Sequence, residues 1–191
     1  LRCLVGSEMC IRDRSRSYHG FEICEIPPNG HGIVALMALA LASRLPIKNR
    51  AEPRSVHYAI EAMKRAFVDG MEYITDPRYM KVDVNDLLSD AYADRRAQGL
   101  TEDAEMPRAI DPDCGGTVYL CAADGEGNMV SFIQSNFRGF GSGIVIPGYG
   151  ISFNDRASSF RLDEKAANVL VPGKKPYHTI IPGFLMKPVS Y

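Results

Sequence analysis

The chain has 191 residues, 46% of them hydrophobic, with a formal net charge of −1, which describes a globular chain long enough for one domain with a core. Its 22 Lys and Arg are scattered, so general attraction to nucleic acid or anionic membrane is excluded and a small-molecule or peptide substrate is favoured. The longest apolar run, residues 33–42, is about half of the ~20 residues that span a bilayer, and the five Cys show neither a CxxC pair nor metal-ligand spacing, so no disulfide framework and no cysteine-bound metal is expected.

In chain order, "LRCLVGSEMCIRDR" has no clear period and is not a signal peptide, because Glu8, Arg12 and Asp13 interrupt any apolar core. It resembles translated sequencing-adaptor read-through, as does the closing "KPVSY". Residues 1–14 and 188–191 are therefore expected to be foreign to the fold. "PPNGHG" is a loop that opens the apolar helix over 33–43, with His31 as a polar loop residue. Without a P-loop lysine or GxGxxG spacing, this loop reads as an ordinary helix entry rather than a phosphate site.

A second helix is predicted over 53–73. Pro53 suits its first turn, and Val56, Ile60, Met63, Phe67 and Met71 recur at helical spacing, with Glu61 and Arg65 as a supporting pair. A third is predicted over 86–98, ended by Gly99. Residues 101–116 are acidic, Pro-bearing and aperiodic, and read as a surface linker. After Gly116 the period changes to two: a strand from Thr117, the turn "DGEGN", and a returning strand over 129–135. Cys121 is expected in the core, and "GFGSG" and "PGYG" punctuate further short strands up to Asn154. Helices followed by antiparallel strands, without βαβ alternation, indicate an α+β fold.

The Gly-Gly-Thr junction at 115–117 has one specific chemical use. If the bond between Gly116 and Thr117 is cut, Thr117 gains a free α-amine able to take the proton from its own hydroxyl. The pKa of such an amine, about 7.7–8.0, leaves much of it neutral near physiological pH. Glycine at the preceding position can adopt the strained geometry that attack on its carbonyl requires. By composition alone, a structural turn is the commoner reading.

The surrounding motifs carry more weight. "TVYLCAADGEGNMVSFIQSNFRGFGSG", "IPGYGISFND" and "PGKKPYHTIIPG", preceded by "PPNGHGIVALMALALA" and "HYAIEAMKRAFVDGMEYITDPRY", resemble in order the γ-glutamyltransferase family of N-terminal-nucleophile hydrolases. The resemblance implies an αββα four-layer sandwich and a precursor that cuts itself between Gly116 and Thr117. Residues 15–116 would be the C-terminal part of a large subunit, and 117–187 the N-terminal part of a small one. It implies acyl transfer from a γ-glutamyl or similar amide through Thr117, with water or an amino acid or peptide as acceptor. It also implies that no cofactor takes part. The compartment is left open by the sequence.

By ungapped spacing from Thr117, the family's supporting hydroxyl falls on Ser135, and an asparagine of the glutamyl-transferring members falls on Phe137. The glutamine and aspartate that grip the donor's α-amino group fall on Arg156 and Ser159, with Asp155 adjacent. The family's serine pair near the substrate carboxylate is replaced by His178 and Thr179, a change similar to its acylase-like branch. Loss of a carboxylate and gain of a cation disfavour an ammonium here, so a glutaryl-type acyl group fits as well as γ-glutamyl. The family's substrate-carboxylate arginine is expected upstream of Ser15 and its oxyanion glycine pair beyond Lys187, so this length alone is expected to turn over poorly. Two other readings stand beside this one: a β-lactam side-chain acylase of the same fold, and an unprocessed, non-enzymatic binding or structural module.

Overall fold

The structure, a computed structural model, describes residues 14–105 and 117–187. β1 (Arg14–Tyr18) and β2 (Phe21–Glu25) form an antiparallel hairpin. β7 (Phe184–Met186) pairs with the other edge of β2, placing Cys24 opposite Phe184 in a sheet of order β1–β2–β7. None of these three strands is predicted from the sequence. Arg14, assigned to the foreign segment by its composition, opens β1 opposite Glu25.

α1 (Gly32–Ala42) follows the first hairpin and is apolar around almost its whole circumference. It can be so because it is covered on several sides: it packs on β1, β2 and both longer helices that follow. α2 (Pro53–Tyr73) starts with Pro at its first turn and runs as predicted. A Cβ on Gly70 would meet Val34 Cγ2 at 2.3 Å, so the α1–α2 approach requires glycine there. Ile33, Val34, Met37, Ala66, Ile74, Leu87 and Tyr177 form the core between these elements.

Three expectations in this half are corrected, and the structure settles which face of α2 is buried, which the spacing left open. The face of α2 turned inward carries Ser55, Tyr58, Ala62, Ala66 and Gly70, while Val56, Ile60, Met63 and Phe67 are 39% to 53% exposed. Ala62, Ala66 and Gly70 on this face permit the close approach of α1. Glu61 pairs with Lys64 (2.6 Å) rather than Arg65, which reaches Glu105 (2.8 Å) across the helix end. The helix predicted over 86–98 is two, α3 (Val84–Leu87) and α4 (Asp90–Ala97). The Ser89 hydroxyl accepts from the Tyr92 N–H and caps the second, which interrupts the run. His31 is not a polar loop residue: it is buried, with Nδ1 2.8 Å from the Tyr177 hydroxyl.

In the second half, β3 (Thr117–Ala123) and β4 (Met129–Ser135) pair antiparallel over their full lengths, as predicted. Asp124 Oδ1 accepts from the N–H groups of Glu126 and Asn128 and fixes the turn. β5 (Val145–Ile146) and β6 (Ile151–Ser152) form a second short hairpin. Cys121 is exposed, against expectation, because among the described residues β4 is the one element in extensive contact with β3. Helices and antiparallel pairs together make the α+β class.

Candidate active site

The register of the β3–β4 hairpin sets Thr117 opposite Ser135 at the open end, away from the Asp124 turn. Gly116 and the rest of 106–116 lie outside the described residues. Just past β4 the backbone turns sharply. The Ser135 hydroxyl accepts from the Phe137 N–H (2.9 Å), and Phe137 takes φ +78, a left-handed conformation that is strained for a bulky side chain.

That turn is fastened to residues 154–156. The Asp155 N–H donates to the Asn136 carbonyl (3.2 Å), and the Arg138 N–H donates to Asp155 Oδ1 (3.1 Å). Asn154 Oδ1 accepts from the Arg156 N–H (3.0 Å), and a single 3-10 turn, Arg156–Ser159, follows. The Ser159 hydroxyl closes that turn on the Arg156 carbonyl (2.8 Å).

Arg156 is at the centre of the cluster and is 5% exposed. Its guanidinium lies 5.0 Å over the Phe137 ring centroid, and Nη1 donates to the Thr179 hydroxyl (2.8 Å). Burial lowers the Arg156 pKa from its ordinary value while Asp155 opposes the shift, and an arginine stays charged throughout. His178 is half-buried; burial first and the Arg156 charge second push it down to about 4, so it is neutral at physiological pH. Among the described residues its Nδ1 is buried without a partner.

The segment bearing His178 and Thr179 is held by the helical half of the chain. The His178 N–H donates to the Asn29 carbonyl (3.0 Å), the Asn29 side-chain amide to the Pro176 carbonyl (2.6 Å), and the Lys175 N–H to Asp76 Oδ2 (2.9 Å). The loop at 29–31 thus acts as a support for the site.

The structure therefore gathers Ser135, Asp155, Arg156, Ser159, His178 and Thr179 around one turn, with Thr117 paired to the first of them. It does not leave them equivalent. Ser159 faces its own turn and Asp155 braces Arg138, so both serve the backbone, while Arg156 faces Phe137 and Thr179. Sequence reasoning treated Phe137 only as a lost asparagine, although its ring carries the guanidinium. It also did not identify Asn29, Asp76 and Tyr177 as supports. An isolated "SNF" or "TDP" gives no sign of partners so distant in the chain. Among the described residues no three His, Cys, Asp or Glu side chains gather as a metal site, and no helix is long and apolar enough to cross a membrane.

A family model described as Gamma-glutamyltranspeptidase matches residues 11–190. The chain is 37% identical over 157 residues to the Oxamate amidohydrolase proenzyme of Klebsiella pneumoniae subsp. pneumoniae, covering 82% of this chain and 30% of that protein. It is 32% identical over 175 residues to the Glutathione hydrolase-like YwrD proenzyme of Bacillus subtilis, covering 91% of this chain and 33% of that protein. In structure it is similar to a cephalosporin acylase from Bacillus halodurans, with TM-score 0.83 and 51% identity over 92% of this chain and 32% of that one. The chain thus spans about a third of the length of these relatives, and its architecture is a part of that acylase's fold.

Proposed function

Because the chain belongs to the gamma-glutamyltranspeptidase family, we propose that it is part of an amidase that works through Thr117 as an N-terminal nucleophile. The observation that carries this reading is the pairing of Thr117, first residue of β3, with Ser135 at the edge of the Phe137–Arg156–Thr179 cluster. The names of the two relatives as proenzymes support a processing step.

In processing, the Thr117 hydroxyl adds to the Gly116 carbonyl carbon and the peptide C–N bond breaks, leaving an ester on Oγ and a free Thr117 amine. Water hydrolyses the ester and gives Gly116 a carboxylate. In turnover, the amine takes the Oγ proton as Oγ attacks the substrate amide. The proton passes to the leaving amine as the C–N bond breaks. Water, or an amino acid or peptide amine, then takes the acyl group from Oγ. The Ser135 hydroxyl supports Thr117 by hydrogen bonding. Substrates are γ-glutamyl or glutaryl-type amides, and the residues around the acyl group are Asp155, Arg156, Ser159, His178 and Thr179. In the full-length protein, Thr117→Ala is expected to leave one uncut precursor on a denaturing gel. The same bands as wild type would refute the assignment, and an uncut wild type would favour a non-enzymatic module.

The likeness to a cephalosporin acylase favours a second reading, a β-lactam side-chain acylase. Both readings agree that no carboxylate stands at position 159 to balance a donor ammonium. Burying that charge unpaired costs a few kcal/mol, on the order needed to reverse a preference between similar donors. Glutaryl-p-nitroanilide is therefore expected to be cleaved at least as well as γ-glutamyl-p-nitroanilide. Ser159→Asp should shift the ratio toward γ-glutamyl. A wild-type preference of about a hundredfold for γ-glutamyl would show that another group holds the amine.

A further inference from the structure

Residues 101–105, at the start of the acidic stretch that leads to the expected cut, form no helix or strand, and all five are exposed. Such a segment has no core contact to place it, and fixing it costs conformational entropy. One face of α2 nevertheless holds it. Arg54, His57, Glu61, Lys64 and Arg65 recur at helical spacing as a third stripe, distinct from the buried face and from the exposed apolar one. His57 Nε2 lies 2.9 Å from the Thr101 carbonyl, and Arg54 pairs with Glu102. Lys64 donates to the Glu105 carbonyl, and Arg65 Nη2 meets both Glu105 carboxylate oxygens (2.9 and 2.8 Å).

The two cations that meet Glu105 are themselves held. Buried Glu61 takes the Lys64 ammonium at 2.6 Å, and Arg65 Nη1 donates to the Arg96 and Gln98 carbonyls (2.6 and 2.9 Å) at the end of α4. The Arg65 side chain is 15% exposed, so its pair with Glu105 is less screened than that of Arg54 and Glu102, at 56% and 66%. Past this clamp, 11 residues, 106–116, lead to Thr117. Thr117 is fixed on the other side of the cut by its pairing with Ser135.

We propose that the clamp of Arg65 and Lys64 on Glu105 positions the chain for self-cleavage, by fixing the point from which the Gly116 carbonyl must reach Thr117. This rests on the Thr117 reading. Thr117 Oγ adds to the Gly116 carbonyl carbon and the C–N bond breaks within one chain, so the rate follows the effective concentration of the two ends. That concentration falls as roughly the −3/2 power of the free length between fixed points. Arg65 and Lys64 are positioning residues that act through Glu105. After the cut all three stay on the same piece, so turnover of substrate does not depend on them.

The test follows newly synthesised full-length precursor on denaturing gels over time. Glu105→Gln lengthens the free run from 11 residues toward about 15 and should slow the appearance of the two pieces by about twofold. Glu105→Arg, which sets a third cation against Arg65 and Lys64, should slow it further, and Glu105→Asp should fall between Gln and wild type. Glu102→Gln, which removes an equal charge from an exposed pair, should cut at the wild-type rate. Once cut, the Glu105 variants should match wild type in kcat/KM per processed chain. Their urea midpoints, measured in an uncut Thr117→Ala background, should also match. Cleavage of the Glu105 variants at the wild-type rate would overturn the proposal and leave the Thr117 reading intact. Slowing that follows a lowered midpoint would overturn it as well, by showing a merely structural contact. A wild-type precursor that never cuts would refute the Thr117 reading, and the proposal with it.

Discussion

The His31 imidazole lies inside the core, edge-on to the Phe67 ring and 2.8 Å from the Tyr177 hydroxyl. Burial pushes its pKa down from 6.5 to about 4. The folded state therefore prefers the neutral ring, and the unfolded chain takes up a proton first as pH falls. Stability from this site is complete above pH 6.5 and is lost as pH drops toward about 4. At about pH 5 the loss amounts to ~2 kcal/mol. Half-buried His178, also held at about 4, adds to the same window. Urea unfolding followed between about pH 7.5 and 5 should show the decline, and His31→Gln should flatten about half of it. A profile unchanged by that substitution would mean that His31 is not buried in solution. Nothing in "PPNGHG" shows this burial, because the ring's partners sit on α2 and at Tyr177, far off in the chain. Arg156 is a similar case: its residue type and its neighbour Ser159 could be read from sequence, but its stacking on Phe137 could not.

Whole elements were legible where their information is local. The period-two alternation and the Asp-Gly turn placed β3 and β4 at their observed limits, and Pro53 with its helical spacing placed α2. The orientation of α2 was not legible. Its periodic apolar residues mark a stripe, but a stripe does not say which neighbour covers it. Here α1 takes the opposite face, where Ala62, Ala66 and Gly70 permit close approach, and Val56, Ile60, Met63 and Phe67 stay 39% to 53% exposed. β1, β2 and β7 were missed for a related reason. Their stability comes from pairing Cys24 with Phe184 across nearly the whole chain, and segments of three to five residues carry little pattern by themselves. Ser89 shows the reverse. Its capping role is local and could have been read from its place just before "DAYADRRA".

At the scale of the molecule, the expected cut between Gly116 and Thr117 divides the chain, yet the two sides interlock. β7 completes the sheet begun by β1 and β2, Asn168 donates its amide to the Ile74 carbonyl (2.8 Å), and the Asn29 and His31 contacts secure 176–178. Asp76 is central to this junction and is 1% exposed. One of its oxygens accepts from the Arg78 N–H and Nε, and the other from Arg78 Nη2 (2.7 Å) and the Lys175 N–H (2.9 Å). The Arg78 hydrogen bonds above all, with that of Lys175, hold the carboxyl well below the usual range, so it is ionised wherever the protein is folded near neutrality. The Arg78 side chain is largely exposed, and its share of the stabilisation is reduced by solvent. Of the bonds to Asp76, the one from the Lys175 N–H crosses the cut. Removing the carboxylate leaves these donors unmatched, at a cost on the order of 3 kcal/mol. In the processed full-length protein, Asp76→Ala should therefore lower the urea midpoint and release the two pieces from one another at urea concentrations that wild type withstands. Size-exclusion chromatography across a urea series reads this directly. Co-elution of both pieces up to the wild-type midpoint would show that the sheet and the Asn168 contact suffice without Asp76.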